Sequence, residues 1–257
     1  MTALIVTVCG VLGLVVGSFL NVVVARVPKK ESVVSPRSRC PGCGTFIAPR
    51  DNVPVVSWLL LRGRCRSCGE RISFRYPAVE LATAVLFALT AARFGADAAL
   101  PAFLVFVAAL VAITPIDLEL RIVPNRIVYP TLFLSVPLLL VAAAVDGDWA
   151  SARDAAVGGA AAFSAFFVLW YISPKGMGFG DVRLSGIIGM FLGWIGPWHI
   201  ALGLFLAFLS ASVIGIGLML AGRKGRKDAI PFGPFLALGA ILAVLAGEPL
   251  LRWYGVT

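Results

Sequence analysis

Apolar runs close to twenty residues long recur along this chain, and that recurrence fixes its solvent. A helix needs about 20 predominantly apolar residues to cross the roughly 30 Å hydrocarbon core of a bilayer. Runs near that length fall at 3–25, 77–94, 99–116, 126–145, 154–173, 183–198, 199–221 and 232–251 of the 257 residues, which predicts an all-α polytopic protein with about eight transmembrane helices. Only 14% of the residues are charged, against about 25% in soluble domains. A water-facing surface could not be covered with so few polar side chains. Disorder is excluded for most of the chain, because it requires low hydrophobicity and high charge. Gly196, Pro197, Trp198 and His199 alone mark the turn that separates 183–198 from 199–221. The first run, Leu4 to Ala25, lacks a basic segment before it and continues too far for a cleavable signal, so a helix that stays in the membrane is expected.

The net charge of +9 reports topology. With the amino terminus outside, 19 of the 22 Lys and Arg residues fall in the inner segments 26–76, 117–126, 174–183 and 222–230. Only Arg93, Arg153 and Arg252 fall outside, which is a strong positive-inside bias. Trp149, Trp198 and Trp253 lie near the outer ends, where an aromatic belt belongs. Nucleic acid is therefore not needed as a partner to explain the basic balance.

One segment does not belong to the bilayer. Residues 26–76 carry Pro28, Pro36, Pro41, Pro49 and Pro54 with four cysteines and eleven basic residues. The expected organisation is a first transmembrane helix (1–25), a small cytoplasmic insert (26–76) and a transmembrane helical domain (77–257). An insert of about 50 residues has too little core to hold itself and usually needs a metal or disulfides. Cys40-Pro-Gly-Cys43-Gly44 and Cys65-Arg-Ser-Cys68-Gly69 are two CxxC knuckles. Four thiolates close a tetrahedral zinc site with no open position, which makes it structural. Two disulfides are the alternative, and a reducing cytoplasm argues against them; a redox role for the pairs is the other. Cys9 lies inside the first helix as an apolar residue.

The second signal is a pair of aspartates at inner membrane edges. Asp117 stands in AITPIDLELRIVPN, where the third helix runs out, and Asp181 in SPKGMGFGDVRLSG, where the sixth begins. Ionisable groups at membrane depth are costly and tend to be functional. An Asp at an interface can instead be simply solvated, and Asp181 also stands where a helix N-cap carboxylate belongs. Gly176, Gly178 and Gly180 leave backbone without side chains before Asp181, and irregular backbone at this depth survives only where it is buried or lines a watery cavity. Two carboxylates brought together cannot both ionise easily, so one holds a proton while the other stays charged. Such a pair can activate water and protonate a peptide carbonyl together. Arg121 and Arg183 could hold carboxylates ionised or bind elsewhere.

Other groups have blander readings. Ser173 with Lys175 would make a Ser–Lys nucleophile, but residues two apart do not share a helix face and Pro174 intervenes. His199 is the only histidine and sits at a predicted outer end, so a His-based triad on the inner side is excluded. GRKGRKD at 222–228 is a basic loop, a topology anchor with possible anionic-lipid contact. IPFGPFLALG at 230–239 opens the last helix and could place Phe232 and Phe235 beside a substrate channel. Glu80, within the second helix, either pairs with a basic residue of the insert or is functional. A non-enzymatic transporter or assembly scaffold, its aspartates binding ions or protons, is the reading from another class.

GSFLNVVVARVP at 17–28, the paired CxxC knuckles, PIDLELRIVPN, KGMGFGDVRL at 175–184 and IPFGPFLALG occur in that order. Together these blocks resemble the prepilin peptidases, also called type IV leader peptidases, over nearly the whole chain. The resemblance implies an inner-membrane aspartic protease of GxGD type with Asp117 and Asp181 as its catalytic pair. It implies removal of the short basic leader of prepilins and pseudopilins on the cytoplasmic side, after a Gly and before the apolar helix. It also implies methylation of the new amino terminus with S-adenosylmethionine, an activity many members with the Cys-rich segment have. The sequence itself offers no GxGxxG turn for that donor, and a peptidase without methylation is the alternative. The family commonly has Lys two residues after the GxGD Asp, where this chain has Arg183; charge is kept but geometry is not.

Overall fold

The computed structural model describes residues 1–174, 176–223, 225 and 230–255. Lys175 and most of the 222–228 loop lie outside the described residues, and with them the Ser173–Lys175 alternative and the basic loop's lipid contact. The described residues are helical, with two isolated antiparallel bridges and no strand. The chain divides into two compact units, Met1–Ala96 and Asp97–Thr257.

The first unit holds two long helices, α1 (Thr2–Arg26) and α3 (Arg75–Phe94), with the insert and its short α2 (Val56–Leu60) between them. Small residues let α1 and α3 approach closely. A Cβ on Gly13 would stand 2.6 Å from the Cα of Ala84, and one on Gly17 would stand 2.7 Å from the Cα of Glu80. This is small-xxx-small packing, which brings helices together in lipid. The Asn21 amide of α1 donates to the Tyr76 carbonyl of α3 at 3.1 Å. Glu80 shows no ion pair with a basic residue of the insert among the described residues; its buried carboxylate accepts the backbone N–H of Val55 at 2.7 Å, tying the insert to the helix that follows it.

The second unit is an up-and-down set of six helices: α4 (Leu100–Leu120), α5 (Asn125–Asp146), α6 (Trp149–Ile172), α7 (Phe179–Ile195), α8 (Pro197–Leu220) and α9 (Gly233–Trp253). Three of these begin or end away from the sequence expectation. The third apolar run stops at 116, yet α4 continues to Leu120 and carries Asp117 one turn inside. α6 begins five residues early because the Asp148 carboxylate caps it, accepting from the Ser151 N–H at 3.1 Å. α7 begins at Phe179, so Asp181 lies in its first turn and Gly178 takes the N-cap position. The turn between α7 and α8 is the single residue Gly196, at φ 152° and ψ 156°, a conformation open essentially to glycine.

Phe191 of α7 sits at the centre of the unit. Its ring stacks on Phe106 of α4 at 4.2 Å and meets Phe103 edge-on at 5.0 Å. Outer faces are different: Val8 and Phe19 on α1, and Phe205 and Val213 on α8, are all more than half exposed. Such surfaces are aggregation hazards in water and are satisfied in lipid. Among the described residues seven helices are long and apolar enough to cross a membrane. The eighth long helix, α7, has 17 residues, at the short end of the spanning range of about 17–25. The all-helical polytopic fold is as expected.

Candidate active site and metal centre

The alternating direction of the helices in the second unit brings the end of α4 and the starts of α7 and α9 to one end. Asp117 and Asp181 are both buried there, at 4% and 8% exposure. They are close enough for one charge to act on the other. Asp117 accepts the Gly233 N–H, the first of α9, at 3.0 Å. That N–H is one of the donors a helix start leaves without an intrahelical acceptor, and it faces a carboxylate where the helix dipole favours negative charge. Asp181 lies beside the Gly178 amide at the start of its own helix. Val123, in the link from α4 to α5, packs on Gly180, where a Cβ would come within 2.8 Å of the valine Cβ. The two aspartate-bearing segments are thus in direct contact.

Neither arginine flanking the aspartates shows an ion pair with them among the described residues. Arg121 closes α4 in a left-handed conformation, with its N–H donating to the Asp117 carbonyl at 2.9 Å. Arg183 donates to Asn125 Oδ1 at the first residue of α5, and to the Phe179 carbonyl at 3.3 Å. Its guanidinium lies 5.2 Å from the centre of the Phe179 ring. Phe232 caps α9 next to Gly233 and touches Phe208 at 5.0 Å and Phe235 at 6.5 Å, so an aromatic group flanks the aspartates. His199 is buried at the opposite end of α8, against Gly247.

In the insert the two CxxC knuckles fold alike. Gly44 N–H donates to the Cys40 carbonyl and Gly69 N–H to the Cys65 carbonyl, both at 2.9 Å. Both glycines adopt positive φ, 70° and 73°, to turn the chain round the sulfurs. The four Sγ atoms of Cys40, Cys43, Cys65 and Cys68 lie within 4.8 Å of one another, and Cys40 and Cys68 are 3.8 Å apart. Tetrahedral zinc with Zn–S of about 2.3 Å separates its sulfurs by about 3.8 Å, so the donor set fits. The Thr45 hydroxyl and backbone amide beside Cys43 bring its thiol down to about 6. Backbone amides of Cys68 and Ser67 lower Cys65 as well. Cys68 is pushed up to about 12: the Glu70 amide pulls it down, but burial and the neighbouring sulfurs outweigh that. A cation at the centre would relieve that crowding of negative sulfur.

Comparison with known proteins matches a family described as "Bacterial Peptidase A24 N-terminal domain" over residues 11–94 and the "Type IV leader peptidase family" over residues 104–220. The chain is 35% identical to a prepilin leader peptidase/N-methyltransferase of Bacillus subtilis, over 95% of each chain. The chain belongs to the type IV leader peptidase family. It is also 44% identical to the Myxococcus xanthus protein of that name, over 84% of this chain and 64% of the other. With the Aeromonas hydrophila protein it shares 35% identity over 94% of this chain and 90% of the other. No solved structure matches. For a leader peptidase of this family, sequence reasoning missed Gly233 and Asn125 as neighbours of the aspartate segments. The first could have been suspected from the glycine that opens the last helix between Phe232 and Pro234; nothing in the sequence marks the second.

Proposed function

We propose that this protein is a membrane aspartic endopeptidase that removes the basic leader of type IV prepilins and pseudopilins, with Asp117 and Asp181 as its catalytic pair. The observation that carries the reading is two buried carboxylates from distant segments at one end of a helical membrane domain. The pair shares one proton and titrates as a unit. Its ionised member takes a proton from water as the water oxygen attacks the scissile carbonyl carbon. Its protonated member donates to the carbonyl oxygen. Collapse of the resulting diol breaks the C–N bond: the leaving nitrogen takes a proton from one member of the pair, a diol hydroxyl gives its proton to the other as the carbonyl re-forms, and the one-proton state returns. Gly233 N–H holds the Asp117 carboxylate in place through this cycle.

The positive-inside distribution favours an aspartate end in the cytoplasm and an amino terminus outside. A substrate with a basic leader and an apolar helix presents its scissile bond at that interface. Zinc on Cys40, Cys43, Cys65 and Cys68 would hold the insert together without an open coordination position. The names of the relatives support N-methylation of the new amino terminus, for which S-adenosylmethionine is the donor. Mass spectrometry of the amino terminus of a co-expressed prepilin tests both halves. A shortened, singly methylated terminus is expected. A full-length terminus would refute the peptidase, and a shortened unmethylated one would refute the methyltransferase alone.

A further inference from the structure

The two knuckles are built alike but charged differently. Each closes on one antiparallel bridge, Arg39 with Phe46 in the first and Arg64 with Arg71 in the second. In the first, the Arg39 guanidinium rests 5.3 Å above the Phe46 ring. In the second, two arginines face each other directly, an arrangement that repels. Arg62 stands two residues away. Among the described residues, no side-chain hydrogen bond or ion pair satisfies any of the three. All three line a cleft of about 480 Å³ shared with Trp58 and Phe74. Trp58 is fixed there, its indole N–H donating to the Ile72 carbonyl at 3.1 Å and its ring meeting Phe74 edge-on at 5.8 Å.

The cleft's position defines what could fill it. Phe74 is the N-cap of α3, a membrane span, so the cleft opens where the chain enters the bilayer. Apolar side chains nearby are left uncovered: Leu59 at 61%, Leu60 at 78% and Phe74 at 66% exposure. We propose that this cleft binds the headgroup of an anionic phospholipid, with its acyl chains meeting the uncovered leucines. Guanidinium forks match phosphate oxygens in pairs. Aromatic rings with one polar edge suit the headgroup level. A free phosphate would answer the arginines but leave the apolar rim uncovered. The basic insert thereby gains a role beyond topology, one that does not depend on the peptidase reading.

Native mass spectrometry of the full-length protein in detergent, titrated with phosphatidylglycerol or with phosphatidylcholine of the same acyl chains, tests this. Phosphatidylglycerol is expected to bind preferentially. Each arginine near an anionic lipid contributes about fivefold, so R64Q/R71Q is expected to weaken phosphatidylglycerol about 25-fold and phosphatidylcholine little. Millimolar inorganic phosphate should leave the bound lipid in place. Should the double variant not fold, R62Q alone is expected to lose about fivefold. Equal affinity for the two lipids, unchanged affinity in both variants, or complete displacement by inorganic phosphate would each overturn the proposal. A reciprocal effect is also expected: in uncharged detergent without anionic lipid, R71Q should raise the thermal midpoint of the insert, because it removes the uncompensated repulsion. A lowered midpoint there would count against the site.

Discussion

Gly233 is where one added methyl group would most disturb the aspartate pair. A Cβ there would stand 2.7 Å from Asp117 Oδ2, the atom that accepts the Gly233 N–H. Gly233→Ala is expected to slow leader removal on the order of 10²-fold, as displacements near 1 Å at a reacting centre do, while the thermal midpoint moves little. Cleavage at the normal rate would show that the carboxylate does not need that seat. Arg183 acts at one remove, tying the first turn of α7 to Asn125. Arg183→Met is expected to slow cleavage about tenfold, the worth of one hydrogen bond to a charged group. Arg183→Lys should recover part of the loss, and no recovery would point to the fork geometry alone. Asp117 and Asp181 were legible in the sequence because carboxylates beside glycine- and proline-rich breaks stand out in apolar runs. Their neighbours were not: Gly233 is 116 positions from Asp117, and Asn125 is 58 from Arg183. Spacing carries no trace of such contacts.

At the scale of elements, α6 and α7 meet backbone to backbone. A Cβ on Gly158 would reach within 2.5 Å of the Gly189 carbonyl oxygen, and one on Gly189 within 2.5 Å of the Ala162 Cβ. Backbones this close leave no room for a side chain. Gly189→Val is expected to cost about 1–3 kcal/mol through overpacking, read as a lowered thermal midpoint in detergent. Gly217→Val on α8, where a Cβ would meet nothing within 4 Å, is the matched control and should cost little. Equal midpoints for both would remove the glycine contact as a determinant of packing. Helix number was legible because bilayer thickness imposes a length on every span. Helix ends were less so. The run that stops at 116 ends where apolar residues end, whereas α4 itself continues through Asp117 to Leu120, because backbone hydrogen bonding in lipid does not require apolar side chains. Capping by Asp148 moved the start of α6 toward the amino terminus, and α7 also starts early, with Gly178 in its N-cap position.

At the scale of the whole molecule, the chain carries a four-cysteine insert and a set of long apolar helices. The insert has little core, so its metal is expected to act as part of its fold. Metal ligation requires thiolates. Cys43, depressed to about 6 from the ordinary thiol range near 8.5, contributes fully above about 8.5 and loses its contribution as pH falls through about 6. About one zinc per chain is therefore expected at neutral pH, with release on acidification below about 6, measured by metal analysis after dialysis. No zinc at neutral pH with four free thiols would contradict the site. The distribution of the basic residues led to the expectation that the two aspartates share an end, and the second unit brings them to one end. The central claim is that those two act as one unit. Single-turnover rates of leader removal by purified D117N, D181N and D117N/D181N test it most directly. Groups that work as a unit lose everything with the first removal, so all three rates are expected to fall together to the uncatalysed background. Measurable cleavage by either single variant, with a further drop in the double, would contradict the account.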